Sequence, residues 1–375
     1  MNILVLNYEY PPLGGGAGVV TRALAELYVR RGHDVEVVTM GFPGLPAEET
    51  LNGVRIRRLQ VGRKRRETCD TSEMILYVLR AFPTTLRKLR RDPVDVIHCH
   101  FVVPTGLLAY AATRRAKVPF VITAHGSDIP GYNPDRFTRE HRFTPPLLRR
   151  IARSAARVTA PSRFLCDRIA ENIPALDAVQ IPNGIDRDLF DERPKERIIL
   201  MSGRLLPRKG FYRVLEALRD TESDYEVHIA GDGPHRAVLE ETAASLPMKV
   251  VFHGWLDHGS PEWKELYERS SVFCFPSQKE NSPMGLLEAM LAGMAVITSD
   301  TSGCPEVIGD AGITVPPGDA VALGNALVEL LGSDETARAY GRKARCRARE
   351  HFDWEGIGTR YLDLLAAASG RAGRV

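Results

Sequence analysis

Two glutamates stand eight residues apart in ENSPMGLLEAM, Glu280 ahead of a short polar loop and Glu288 inside an apolar run. An acid set among Leu286, Leu287, Ala289 and Met290 needs polar partners to offset its desolvation, and neutral hydroxyls such as those of a ribose would supply them. Between the two acids, Ser282 is a good N-cap and Pro283 suits the first helical position, so LLEAMLA is expected to be helical. Pro283, Met284, Gly285 and Leu286 place no acid in the first turn, which leaves its N–H groups open to an outside anion. The plainer reading keeps Glu288 on a solvated helix face and Glu280 as a loop charge.

Cations of the right kind lie upstream. SGRLLPRKG (202–210) sets Arg204 and Lys209 five residues apart directly after an apolar strand. Two cations at the carboxyl edge of a parallel sheet can neutralise a diphosphate, whereas an ordinary surface pair would sit badly at a helix start. In the first half, NYEYPPLGGGAG carries glycines 14, 15, 16 and 18 ahead of the helical VVTRALAELYVRRG, where backbone can approach a ligand closely. The dinucleotide spacing G-x-G-x-x-G fails, since it would need glycine at Val19 or Thr21. A tight turn is the commoner meaning of such a cluster. TAHGSDIPGY (123–132) places His125 and Asp128 just past a strand end, and that position, not the residue type, makes them candidates. His98 and His100 in IHCHF share one face of a strand, but without a clear third and fourth ligand nearby no metal is expected there. The same holds for DRD at 186–188.

These residues are carried by short apolar strands that alternate with helical stretches, the pattern of parallel α/β sheets covered on both faces. One series runs NILVLN (2–7), VEVVTM (35–40), VRIRRL (54–59), VDVIHC (94–99), FVITA (120–124) and RVTAP (157–161). A second runs RIILMS (197–202), YEVHIA (225–230), KVVFHG (249–254), SVFCF (271–275) and AVITS (295–299). Two Rossmann-like, doubly wound units joined near residue 185 account for this order. The domains expected are 1–184 and 185–355, with a final helix at about 356–370 that could pack on either unit. A chain of 375 residues is long enough for two cores.

Hydrophobic content of 44% and charged content of 26% are those of a soluble globular protein. The six cysteines (Cys69, Cys99, Cys166, Cys274, Cys304, Cys346) are scattered without a C-x-x-C pair. That fits a reducing cytoplasm better than a disulfide framework or a zinc ribbon. MNILVLNYEY has no basic n-region and no apolar run approaches about 18 residues, so neither signal peptide nor membrane span is expected. The net charge of +3 is unevenly divided. Residues 1–183 hold about 27 Lys and Arg against about 17 Asp and Glu, roughly +10, leaving about −7 for the rest. Much of the excess lies in RIRRLQVGRKRR (55–66) and in LRKLRR (86–91), which follows the apolar MILYVLRAF (74–82). Such a segment can lie on an anionic membrane face; a solvated helix of an arginine-rich protein is the equal alternative. No nucleic-acid-binding motif accompanies the charge.

Together these pieces resemble the retaining glycosyltransferases of family 4, which have the GT-B fold. The resemblance rests on Glu280 and Glu288 as an E-x7-E element, Arg204 and Lys209 in GRLLPRKG, GDGP (231–234), AHGSD (124–128), IPNGID (181–186) and PEVI (305–308), and it covers nearly the entire chain. It implies two Rossmann-like domains facing across a deep cleft, with a nucleotide-diphosphate sugar held mainly by the second. Arg204 and Lys209 would bind the diphosphate, Glu288 the ribose hydroxyls and Glu280 the hydroxyls of the transferred sugar. By the same resemblance Ser282, Pro283, Met284 and Gly285 would bind the donor, their backbone amides, save the one proline lacks, facing the sugar and phosphates. Backbone groups of Gly254, Trp255 and Leu256 could read uracil or guanine. His125 would touch the sugar from the first unit, Gly15 and Gly16 would close over the phosphate, and Gly14, Gly15, Asp128 and Tyr132 would serve the acceptor. The catalytic set so implied is His125, Arg204, Lys209 and Glu280, with no metal and no cofactor beyond the sugar nucleotide as co-substrate. Asn281-Ser282-Pro283-Met284 departs from the family's glycine-rich loop, and Met294 stands where proline or a small residue is frequent; both bear on sugar choice.

The activity implied is retaining, metal-independent transfer of a hexose-type sugar from a UDP- or GDP-sugar to a hydroxyl of a glycan or lipid-linked acceptor in envelope or polysaccharide biosynthesis. A cytoplasmic protein, peripheral on the inner membrane face through residues 55–91, is the matching location. Nucleotide-sugar epimerases and glycan phosphorylases are alternatives of the same fold. A non-catalytic membrane-docking protein is the alternative from another class, and the intact Glu280, Glu288, Arg204 and Lys209 count against it.

Overall fold

The computed structural model describes residues 1–132, 145–221 and 223–371. The chain forms two compact units, Met1–Pro182 with Trp354–Val375, and Asn183–Asp353.

The first unit is built on β1 (Asn2–Leu6), β2 (Asp34–Met40), β3 (Glu48–Leu51), β4 (Val54–Leu59), β5 (Val96–His100), β6 (Phe120–Thr123), β7 (Arg157–Ala160) and β8 (Val179–Gln180). Among the described residues these make one sheet in the order β3-β4-β2-β1-β5-β6-β7-β8. Its pairings are parallel except that of β3 with β4. β5 and β6 are buried at every position, as strands covered on both faces must be, while β4, beside the edge strand, buries Val54, Ile56 and Arg58 and leaves Arg55 exposed. The polar EETL of β3 and the two-residue β8 were not expected from the sequence, because neither carries an apolar run.

MILYVLRAF and LRKLRR belong to one helix, Thr71–Arg91, which continues through Pro83. Met74, Tyr77, Ala81 and Thr85 are buried, and the Tyr77 hydroxyl donates to the Val38 carbonyl at 2.8 Å. Most of the apolar face expected to meet lipid therefore packs on the sheet, leaving an outward stripe with Ile75 and Leu79, 57% and 65% exposed. The basic run 55–66 is also largely spent. Arg55 and Arg57 pair with acids of β2 and β3, Arg58 pairs with Glu49, and Arg63 is buried, donating to the Tyr8, Arg65 and Arg66 carbonyls. The final helix, Trp354–Ala368, packs on this first unit. Its Tyr361 ring lies 5.4 Å from His98, a Cβ at Gly358 would meet Leu27 at 2.4 Å, and Glu355 pairs with Arg30 and Arg31.

The second unit contains β9 (Glu196–Ser202), β10 (Glu226–Ala230), β11 (Val250–Gly254), β12 (Ser270–Phe275), β13 (Ala295–Ser299) and β14 (Ile313–Val315). Among the described residues they form a parallel sheet in the order β11-β10-β9-β12-β13-β14. β10 and β12 flank β9 on opposite sides, so the strand order reverses there, and the loops at its carboxyl end are where an open α/β sheet binds ligands. No helix among the described residues is long and apolar enough to cross a membrane.

Candidate active site

Four of the expected residues, Arg204, Lys209, Glu280 and Glu288, belong to segments that follow β9 and β12 in the second unit. After β9 the chain makes a short 3-10 turn, Pro207–Lys209, closed by Gly210 at φ +73. A Cβ on Gly210 would lie 2.6 Å from the Pro276 carbonyl, so glycine allows this turn to press against the loop after β12, where Gln278 N donates to the Arg208 carbonyl at 2.9 Å. That approach brings Lys209 Nζ to Glu280 Oε1 at 2.5 Å, with both side chains only 14% exposed. Lys209 also lies over the Phe275 ring at 4.6 Å, and Ser277 Oγ donates to the same carboxylate oxygen at 2.7 Å. The sequence assigned Lys209 and Glu280 to different parts of a donor; the structure joins them as an ion pair. Arg204 is exposed, and among the described residues its side chain makes no hydrogen bond or ion pair.

A third loop fixes Glu280 from behind. Its N–H donates to Ser302 Oγ at 2.9 Å, and its carbonyl accepts from Gly303 N at 2.8 Å. A Cβ at Gly303 would fall 1.5 Å from the Asn281 carbonyl, so only glycine lets the two loops close. The GDGP glycines have a similar task. A Cβ on Gly231 would lie 2.0 Å from the Gly203 carbonyl, and one on Gly233 would lie 2.4 Å from that of Leu205. Gly231 N also donates to the Gly254 carbonyl at 2.7 Å, which ties the expected base-reading segment to the Arg204 turn. Beyond Gly254, Trp255 is exposed and Leu256 half-buried.

The helix after this loop is Met284–Leu291, and its N-cap is Pro283, not Ser282. Ser282 is spent on the first residue of this unit: its hydroxyl accepts from Asn183 N at 3.3 Å and its carbonyl from Asn183 Nδ2 at 2.8 Å. No side chain caps the helix start and no acid occupies its first turn, so the electropositive end near Met284 and Gly285 is available to an anion. Glu288, one turn further in, is 4% exposed. The solvated-helix reading therefore fails. Its Oε1 is 2.9 Å from His258 Nε2, and the His258 ring lies 4.6 Å from Trp263. Nothing in HGWLDHGS marked His258 as the partner of a glutamate 30 residues away.

In the first unit, Gly14 has φ +91, and a Cβ there would meet the Glu9 side chain at 2.6 Å. Glu9 Oε2 accepts from Gly15 N at 3.3 Å, so a carboxylate the sequence reading did not single out sits against the glycine turn. Gly16 begins the helix Gly16–Arg30. The loop after β6 is held by Asp128, whose Oδ1 accepts from Gly126 N and His125 N at 3.0 and 3.2 Å and whose Oδ2 accepts from Val102 N at 2.6 Å. Burial raises its pKa and these backbone donors oppose the rise. Asp128 thus fastens the loops after β5 and β6 to each other. Tyr132 is buried, its ring 6.2 Å from that of Phe164.

His98 and His100 are fully buried. His98 Nε2 is 2.8 Å from Thr123 Oγ1 and its Nδ1 is 3.3 Å from the Tyr28 hydroxyl. His100 Nδ1 is 3.0 Å from His125 Nε2, with the rings stacked at 17°. Burial pushes His98 and His125 down to about 3 and lowers His100 well below the usual histidine value, so all three are neutral near pH 7. Among the described residues no three His, Cys, Asp or Glu side chains are grouped to hold a metal ion. The acids of DRD make a local turn, with Asp188 N donating to Asp186 Oδ1 at 3.0 Å.

Comparison with known proteins agrees with this architecture. Residues 14–189 match the family described as Glycosyltransferase Family 4, and residues 185–347 match Glycosyl transferases group 1. A 2-deoxystreptamine glucosyltransferase of Streptomyces kanamyceticus is 30% identical over 361 residues, spanning 87% of this chain and 91% of that protein. Sucrose-phosphate synthase from Thermosynechococcus elongatus superposes with a TM-score of 0.83 at 22% identity, over 98% of this chain and 100% of that one. Anabaena HepE in complex with UDP-glucose does so with a TM-score of 0.76 at 19% identity, again over 98% and 100%. Two parallel α/β units in series and the family match along both of them lead to one conclusion: the chain belongs to glycosyltransferase family 4, on the GT-B fold.

Proposed function

We propose that the protein transfers a hexose-type sugar, with retention of anomeric configuration and without a metal ion, from a UDP- or GDP-sugar to an acceptor hydroxyl. The observation that carries this reading is the pairing of a buried ribose-type carboxylate, Glu288, with a Lys209–Glu280 ion pair on either side of an uncapped helix start. The diphosphate is assigned to Lys209, Arg204 and the Met284–Gly285 amides, and the hydroxyls of the transferred sugar to Glu280. His125, in the first unit, is assigned another hydroxyl of that sugar.

In the reaction the bond from the anomeric carbon to the phosphate oxygen breaks and its electron pair leaves with the diphosphate. The acceptor oxygen bonds to that carbon on the same face, and its proton passes to the departing phosphate oxygen. Arg204, Lys209 and the helix start stabilise the charge that develops on the leaving group, which is electrostatic preorganisation. The S. kanamyceticus relative acts, by its name, on 2-deoxystreptamine, so the acceptor panel includes small polyols beside glycans and lipid-linked sugars. Location at the cytoplasmic membrane face is favoured by exposed residues of the helix Thr71–Arg91, the apolar Ile75 and Leu79 in its first half and the basic Arg87 and Arg91 at its end.

The test is incubation with UDP- and GDP-hexoses and the acceptor panel, with the product anomer read by proton NMR. A product with the donor's anomeric configuration is expected; an inverted product overturns the mechanism. Conversion of the donor without an acceptor points to epimerisation, and dependence on inorganic phosphate points to phosphorolysis.

A further inference from the structure

The hydrogen bond between His100 and His125 has only two possible proton arrangements, and the surroundings of His100 choose between them. Its Nδ1 is 3.0 Å from His125 Nε2, so one of the two nitrogens carries the proton and the other accepts. His100 Nε2 is buried and, among the described residues, has no hydrogen-bond partner. If His125 were the donor, the single proton of neutral His100 would lie on that orphaned Nε2, a buried N–H with nothing to receive it. If His100 donates from Nδ1, the orphan is only a lone pair, the less costly defect. His98, its ring 4.5 Å from His100 and itself engaged with Thr123 and Tyr28, helps to hold the His100 ring in place.

We propose that His100 is a positioning residue that fixes His125 as its Nδ1–H tautomer, so that His125 offers a hydrogen-bond donor, and no charge, to a hydroxyl of the sugar being transferred. This inference rests on the assignment of His125 to the sugar in the preceding reading. A neutral imidazole in water prefers the proton on Nε2, so the opposite tautomer at His125 has to be imposed by its neighbour. His100 imposes it by occupying Nε2 with a donated proton.

The experiment is a long-range 1H–15N correlation spectrum of the full-length protein labelled at histidine, on wild type, His100→Asn and His100→Leu, with turnover measured in parallel. Wild type is expected to show a protonated, pyrrole-type Nδ1 and a pyridine-type Nε2 at His125. His100→Asn keeps an amide N–H near the lost Nδ1–H and should keep that pattern, with kcat within about threefold of wild type. His100→Leu removes the donor. It should release His125 to the Nε2–H form and lower kcat by about tenfold to a hundredfold, with the donor KM changed by less than about twofold. An Nε2–H signal at His125 in wild type overturns the proposal, as does an unchanged Nδ1–H tautomer in folded His100→Leu. Should the leucine variant fail to fold, the wild-type and His100→Asn spectra decide alone. If the spectra come out as expected but His125→Ala retains full activity, the tautomer assignment stands and the role given to His125 in transfer falls.

Discussion

Lys209 and Arg204 differ in what each would lose by truncation, and the difference separates a binding role from a structural one. Lys209 lies in a tight, poorly hydrated contact with Glu280 and over Phe275. Lys209→Ala should therefore lower turnover by about 10²–10³-fold and also cost on the order of 1–3 kcal/mol of stability, because among the described residues the Glu280 carboxylate then keeps only the Ser277 hydroxyl. Arg204 has no protein partner among the described residues, so Arg204→Ala should leave stability within about 0.5 kcal/mol while turnover falls by a similar factor. Steady-state rates beside urea unfolding of both variants measure this; wild-type turnover in either removes the phosphate role. At this scale the sequence disclosed what spacing alone can encode. Glu280, Glu288, Arg204 and Lys209 stand out because carboxylates and cations recur at loop-to-helix junctions. His258 and Asn183 did not, since a side chain's partner from 30 or 99 residues away leaves no local trace. Ser282 was misread for the same reason: Asn183 competes for the groups a cap would use.

At the scale of elements, β5 brings His98 and His100 beside His125 with all three uncharged. Their pKa values are depressed on folding, so below about 6.5 the unfolded chain takes up protons that the native chain refuses. The stability this supplies is complete above about pH 6.5 and is lost as pH falls from there toward 3. Each fully depressed histidine contributes a slope of up to about 1.4 kcal/mol per pH unit. Urea midpoints at pH 7.5, 6.5 and 5.5 should therefore drop on acidification, and a midpoint that rises toward pH 5.5 contradicts the neutral trio. The loop after β13 supplies a second test. Gly303→Ala has no room for its methyl beside Asn281, so it should destabilise the second unit by several kcal/mol and lower turnover with it. For the helix Thr71–Arg91, replacing Ile75, Leu79, Arg87 and Arg91 by serine should reduce co-sedimentation with anionic vesicles. Unchanged co-sedimentation rejects the membrane contact. Lys88 is excluded from that set because it pairs with Glu36 and Asp92, and its loss would disturb the fold. Apolar strands were legible because burial on both faces demands apolar runs. β3, β8 and β14 were not, being short or polar at sheet edges.

For the whole molecule, the two strand series and the break near residue 185 follow from alternating apolar strands and helices. The return of the final helix to the first unit does not, because it depends on Tyr361, Gly358 and Glu355 finding His98, Leu27, Arg30 and Arg31 far away in the chain. The glycosyltransferase class was legible, and the choice of donor base and sugar was not, since backbone groups around Gly254 to Leu256 can meet more than one base. The central claim is that the carboxyl edge of the second sheet holds a nucleoside diphosphate between Arg204, Lys209 and Glu288. It is tested most directly by thermal and calorimetric titration of wild type, Lys209→Ala and Glu288→Ala with UDP, GDP and ADP. One diphosphate should stabilise the wild type by about 2.7 kcal/mol at a hundredfold excess over its Kd, and both variants should lose most of that gain. Equal stabilisation of all three proteins, or none by any diphosphate, would contradict it.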